Sequence, residues 1–313
     1  MTIPMPRARH LVAALLVLLP VQAWAARIAV LADDDLTVYR SVITGFSIEA
    51  RAEIDEYNLR GDPKLGDKIA AEIGARKPDV LFAVGPKSAN LLRQKFAALP
   101  LIHVLVPNVG QYDLSAPNIS GVALEPPLKD QFGALKALAP GVKKVGVVFD
   151  PKHSGVKVKE AVESLAALGI TLVLAEVQKT EDIPAALKGL QGSVDALWTP
   201  ADATVLTVSG LEALGEFSRN AKVPIYGINA NHVQRGALVT LALDYPRVGR
   251  QAGKLANKVL ADPKAAKDLA LQAPEGLDLA LNLTVAKRLN MDAVPAAALE
   301  LAAEKKYSVL VYK

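Results

Sequence analysis

From Arg27 onward, short apolar and β-branched runs alternate with stretches whose apolar residues recur at helical spacing. That alternation predicts βαβ units around parallel sheets, an α/β fold. The first strand is expected at Ile28–Leu31, ending on Asp33-Asp34-Asp35. Helices are expected over 37–52 and 65–76, the second closed by Pro78. Val80–Val84 reads as a fully buried strand, followed by Gly85-Pro86-Lys87-Ser88 and a helix with proline near its start. Leu101–Val106 is the next strand.

A second series starts at Val145–Phe149. It turns at Asp150-Pro151, enters a helix near 156–168 and stops at Gly169. A strand at 171–175, a helix at 183–190, a strand at 196–199, a long helix to about Ala221 and a strand at 225–227 follow. The two series match in organisation. Asp79–Pro86 parallels Asp195–Pro200, and Leu99-Pro100-Leu101-Ile102 parallels Val223-Pro224-Ile225-Tyr226. Two α/β lobes built alike are therefore expected. Asn118–Val122, Leu238–Leu243 and Leu277–Leu283 read as passages between them. The end of the chain, Lys306–Tyr312, reads as one more strand.

The segment before this pattern behaves differently. Arg7 and Arg9 precede the unbroken apolar run Leu11–Leu19, and Ala23-Trp24-Ala25 supplies small residues around a cleavage position. This is the layout of an export signal cleaved after Ala25. Pro20 and Gln22 interrupt the run before the roughly 20 residues a membrane span needs. Its removal leaves 288 of the 313 residues and lowers the net charge from +4 to +2, since the segment holds two arginines and no acid.

The chain has no cysteine. Disulfides, thiolate chemistry and a lipidated anchoring cysteine are thereby excluded. A free protein in a Gram-negative periplasm is the expectation. No basic run points to nucleic acid. The three histidines beyond the signal, His103, His153 and His232, form no metal-helix spacing. Neither a nucleophile-elbow motif nor a phosphate-binding glycine loop is present, so an enzyme is not expected, nor a metal or other cofactor.

Ligands of open parallel sheets bind beyond the carboxyl ends of the strands. That rule selects Asp33, Asp34, Gly85, Ser88 and Asn108 in the first lobe. In the second it selects Ser154, Trp198, Asp202, Thr204 and Asn229, with Asp244 after the second passage. Helix starts at Ser88 and Ser154 would favour a ligand carboxylate. Asp33 and Asp202 would suit an ammonium group, and Trp198 an apolar wall; together these suit an amino acid. Plainer uses stand beside them. Asp33–Asp35, Ser88 and Ser154 are also candidate helix caps, Gly85 a turn residue, and Trp198 a core residue.

In their order and spacing, several stretches resemble one family. They are Lys77-Pro78-Asp79 with Gly85, Asn118–Val122, Val147–Pro151 and Asp195–Asp202, then Val223–Tyr226, Gly236-Ala237, Asp244-Tyr245 with Gly249, and Leu281-Asn282-Leu283. From about Arg27 to Met291 the chain is similar to the substrate-binding proteins of ABC transporters, in the family with tryptophan- and tyrosine-binding members. The resemblance implies a type I periplasmic-binding fold of two Rossmann-like lobes and a three-crossover hinge. Residues 26–122 with 245–275 would form one lobe, and 123–244 with 276–313 the other. It implies a monomer that closes on a small solute and docks on a membrane permease. It places ligand contacts at Ser88, Asn108, Ser154, Asp202 and Asn229. A ligand sensor reporting to a membrane receptor is the alternative on the same fold.

Overall fold

The computed structural model describes residues 26–107, 109–262 and 270–313. The export-signal reading of 1–25 and the candidate Asn108 lie outside them. Two sheets form the centre. The first uses β1 (Arg27–Ala32), β2 (Glu53–Asn58), β3 (Val80–Val84), β4 (Leu101–Val104) and β5 (Ile119–Gly121), in the order β2-β1-β3-β4-β5, all parallel. Helices α1 (Thr37–Glu49), α2 (Gly66–Arg76) and α3 (Pro86–Lys95) connect its strands.

The second sheet repeats this plan after α4 (Leu128–Leu138). Its strands are β6 (Lys144–Phe149), β7 (Thr171–Glu176), β8 (Ala196–Trp198), β9 (Ile225–Tyr226) and β10 (Val239–Leu243). The connecting helices are α5 (Pro151–Ala166), α6 (Ile183–Leu190), α7 (Val208–Ala221) and α8 (Ala230–Gln234). The order β7-β6-β8-β9-β10 is the order of the first sheet over again. After α9 (Tyr245–Ala261) the sheet gains β11 (Leu277–Asn282), antiparallel to β10. Beyond α10 (Leu283–Arg288) and α11 (Val294–Lys305), β12 (Ser308–Tyr312) pairs parallel to β11, the strand expected at the chain end. The fold class read from the sequence is the one observed.

Matching residues do matching work in the two sheets. Asp79 accepts from the Arg27 amide at 2.8 Å and pins the start of β1. Asp195 accepts from the Lys143 and Lys144 amides at 2.9 Å and pins the start of β6. The Pro100 carbonyl accepts from Leu81, and the Pro224 carbonyl from Leu197, each at 2.9 Å. Both sheets are covered on both faces. In β1, Ile28, Val30 and Ala32 enter one core cluster while Ala29 and Leu31 enter the opposite one. In β6, Val145, Val147 and Phe149 face one cluster and Val148 the other. Two-sided burial is why these strands read as unbroken apolar runs.

Several elements depart from the sequence reading. Helix α5 begins at Pro151 rather than near Val156, because Asp150 caps it through the Lys152 amide at 3.0 Å. Leu238–Leu243 and Leu277–Leu283 are not merely passages; most of each is a strand of the second sheet. Strand β2 was not anticipated, since Glu-Ile-Asp-Glu-Tyr-Asn carries few apolar residues. It is an edge strand, and two of its three acids, Glu53 and Asp55, pair with Arg27 and Arg76, with Asp55 2.9 Å and 2.8 Å from the two guanidinium groups.

Helix α9 is the device that returns the chain to the first sheet. It packs along α1, and the two backbones come close where glycines leave out a side chain. A Cβ on Gly45 would lie 2.0 Å from the Pro246 carbonyl oxygen, and one on Gly249 2.0 Å from that of Val42. Asn257 then accepts from the Arg51 amide at 2.8 Å and donates to the Glu49 carbonyl at 2.9 Å, locking the far end. The segment after β5 and the one before β11 run side by side, with Gln272 hydrogen bonded to Gly121 and Ala123. The chain thus passes between the sheets after β5, after β10 and before β11.

Candidate functional site

The carboxyl ends of both sheets border a cleft where these passages meet. Its deeper cavity encloses about 560 Å³ and is built mainly from the ends of β8, β9 and β10 and the start of α9. Trp198, Thr199, Pro200, Ile228 and Leu241 form much of its wall, and Asp244 and Asp278 close the side toward the passages. A second cavity of about 580 Å³ lies between the loop after β4 and the first turns of α5, and includes Ser154. Leu124, Glu125 and Ala201 border both. Glu125 is held by Lys157 of α5 at 3.4 Å.

Trp198 is both core and wall. Its indole packs edge-on against Phe132 at 5.2 Å and donates to the Gln131 side chain at 3.2 Å. Gln131 in turn donates to the Pro126 carbonyl at 2.8 Å, so a buried polar chain fixes the ring. Asn229 borders the cavity while capping α8 through the His232 amide at 2.9 Å. Asp244 caps α9 through the Arg247 amide at 3.0 Å and pairs with the Arg247 guanidinium at 3.0 Å.

The remaining candidates are drawn inward. Asp33 does not cap α1; the residue before that helix is Leu36, which makes no side-chain bond. The Asp33 carboxylate instead accepts from the Lys87 amide at 3.0 Å and the Ser88 amide at 2.6 Å. It supplies the cap that Gly85, at the start of α3, cannot. Gly85 sits at φ +106°, and a Cβ there would lie 2.5 Å from the Asp33 carboxyl carbon. The α3 amides expected to hold a ligand carboxylate are therefore already engaged. Ser88 is wholly buried and caps nothing; its hydroxyl has no partner among the described residues. Asp34 accepts from the Asp35 amide at 2.7 Å, and Asp35 pairs with Arg40.

Asp202 is the counterpart in the second lobe. It is fully buried and accepts four hydrogen bonds: from the Asp150 amide at 2.8 Å, the Ser154 hydroxyl at 2.6 Å, and the Thr204 and Val205 amides at 3.0 and 3.2 Å. Thr204 donates to Asp150 at 2.9 Å. This group braces the loops after β6 and β8. Asp202 presents no charge to either cavity, and Ser154 spends its proton on Asp202 rather than capping α5. Asp33, Asp34, Gly85, Ser88, Asp202 and Thr204 border neither cavity.

Two wall residues were missed. Thr199 is 3% exposed and its hydroxyl has no partner among the described residues. It directly follows β8, a position that the carboxyl-end rule selects. Asp278 comes to the wall through the antiparallel pairing of β11, which sets it opposite Ala242. Burial and the neighbouring Asp244 raise its pKa above the usual carboxylate value, while Arg247 and the Ser308 hydroxyl oppose the shift. Among the described residues no group of three metal-binding side chains is present, and no helix is long and apolar enough to cross a membrane.

The model of the ABC transporter substrate binding protein family matches residues 44–306, nearly the whole of both lobes. The chain belongs to that family. It is 24% identical over 260 residues to the tyrosine-binding protein of Clostridioides difficile (strain R20291), covering 80% of this chain and 74% of the relative. Among solved structures it is similar to the ligand-free, open form of a substrate binding protein with adhesive properties from Clostridium difficile. That match has a TM-score of 0.75 at 20% identity, over 92% of this chain and all of the other. It also matches an ABC domain in complex with L-Trp from Streptococcus pneumonia, with a TM-score of 0.62 at 23% identity, over 91% of this chain and all of that one. These structures share the periplasmic-binding fold with this family member.

Proposed function

We propose that the protein is the solute receptor of an ABC importer and takes an amino acid or a similar small polar molecule into the cavity beside the passages. The observation that carries this reading is the cavity of about 560 Å³, within the size range of small-molecule sites, at the carboxyl ends of three strands where the chain passes between the lobes. A molecule there touches the ends of β8–β10 and the start of α9, the helix that packs on the first lobe. Binding would favour the closed arrangement of the hinge by as much as the ligand binds that arrangement more tightly than the open one. The names of the relatives support an aromatic amino acid; the apolar wall of Trp198, Pro200 and Ile228 suits such a side chain. The segment 1–25 would carry the chain to the periplasm and leave on cleavage after Ala25, and the closed receptor would dock as a monomer on its permease.

Thermal unfolding of the purified protein against a panel of amino acids tests this. A ligand at 100 times its dissociation constant adds about 2.7 kcal/mol of stability. A saturable rise in Tm with at least one member is expected. A folded protein that no member stabilises contradicts the reading.

A further inference from the structure

The deeper cavity has an unbalanced charge. Glu125, Asp244 and Asp278 border it, and among the described residues no lysine, arginine or histidine does. Two of the three acids are matched from outside the wall, Glu125 by Lys157 at 3.4 Å and Asp244 by Arg247 at 3.0 Å. Asp278 has no cation within 4.0 Å among the described residues. The nearby Arg247 is already committed to Asp244 and to the Ser308 hydroxyl, the latter at 3.3 Å.

A half-buried carboxylate beside a second carboxylate is costly in the charged form, which is why its proton affinity rises. The cost is removed by a cation entering the cavity. A second observation on the same wall points to an occupant: the buried Thr199 hydroxyl, which has no hydrogen-bond partner among the described residues. Buried hydroxyls are ordinarily satisfied, and unlike that of Ser88 this one borders the cavity, where an occupant could bond it.

We propose that Asp278 is the specificity residue of the cavity and selects ligands carrying a protonated amine. The ammonium lies against Asp278 and Asp244 at the passage side, and the apolar body lies against Trp198, Pro200 and Ile228. The ligand class is a primary amine with an apolar or aromatic side chain, with or without a carboxylate. An organic acid without the amine is excluded by the surplus negative charge. This inference rests on the receptor reading above and adds to it the chemical group that is read.

Calorimetric titration of the purified protein with two matched trios tests it. They are L-tyrosine, tyramine and 3-(4-hydroxyphenyl)propanoate, and L-tryptophan, tryptamine and indole-3-propanoate. In the trio whose amino acid binds, the expected result is retention of the amine and a loss of at least tenfold for the propanoate. Asp278→Asn should weaken the amino acid at least tenfold and leave the propanoate unchanged or tighter. Its Tm without ligand should equal or exceed that of the parent, because a repelled buried charge is gone. Equal binding of amino acid and propanoate overturns the inference and leaves the receptor reading standing, as does unchanged affinity in the folded Asp278→Asn protein. Failure of every compound to bind overturns the inference, whereas the receptor reading falls only if no amino acid of the thermal panel stabilises the protein.

Discussion

The two lobes use the same brace in opposite directions. In each, one buried aspartate ties the loop after the first strand of the unit to the loop after the third. In the first lobe the carboxylate comes from the loop after β1: Asp33 reaches the start of α3. In the second it comes from the loop after β8: Asp202 reaches back to Asp150 and Ser154 after β6. The shared plan concerns how loops are held; which residue does it differs. The difference also separates bracing from binding. Asp33 fills the helix start that a ligand would otherwise use, whereas the second lobe gathers its brace below the surface and leaves β8–β10 to line a cavity.

The comparison breaks most sharply at the braces themselves. Asp202→Ala strands three amides and a hydroxyl in a buried site and should cost about 4 kcal/mol of stability in urea unfolding, whereas Asp33→Ala strands two amides and should cost about 3 kcal/mol. Near-neutral results at both positions would mean that solvent reaches these loops and that the braces do little.

A smaller effect treats the lobes alike. His103 in the first and His232 in the second are buried, and burial lowers each from 6.5 to about 4. The unfolded chain takes up these protons near pH 6.5 while the folded chain stays neutral. Stability is therefore complete above pH 6.5 and falls as the pH drops from there toward 4. At pH 5 each imidazole should account for about 2 kcal/mol of the loss. Replacing either by Gln should remove its share of the slope, measured by denaturant unfolding between pH 7 and 5. An unchanged slope in both variants would contradict the buried neutral state.

The duplicated lobes were legible because two-sided burial writes strands as apolar runs, and because Asp79 and Asp195, or Pro100 and Pro224, repeat as markers of equivalent backbone contacts. Strand β2 was not legible, since an edge position tolerates the charges of Glu53 and Asp55. Helix α9 was missed as well. Its identity lies in glycines fitted to α1, a relation between distant segments. The site divides in the same way. Trp198, Asn229 and Asp244 follow from the carboxyl-end rule and do border the cavity. The acids Asp33 and Asp202 satisfy the same rule yet turn inward, because their partners are backbone amides set by tertiary folding. Asp278 reaches the wall only through antiparallel pairing, which no local pattern announces.

Trp198 offers the most direct measurement. The chain holds two tryptophans, Trp24 and Trp198, and a chain beginning at Ala26 keeps only the second, on the wall of the cavity. Titrating that chain with L-tyrosine and the other amino acids of the panel while following Trp198 emission should give a saturable change whose midpoint agrees with the rise in Tm. Ligand-induced stabilisation with unchanged Trp198 emission would place the ligand elsewhere and contradict a cavity site.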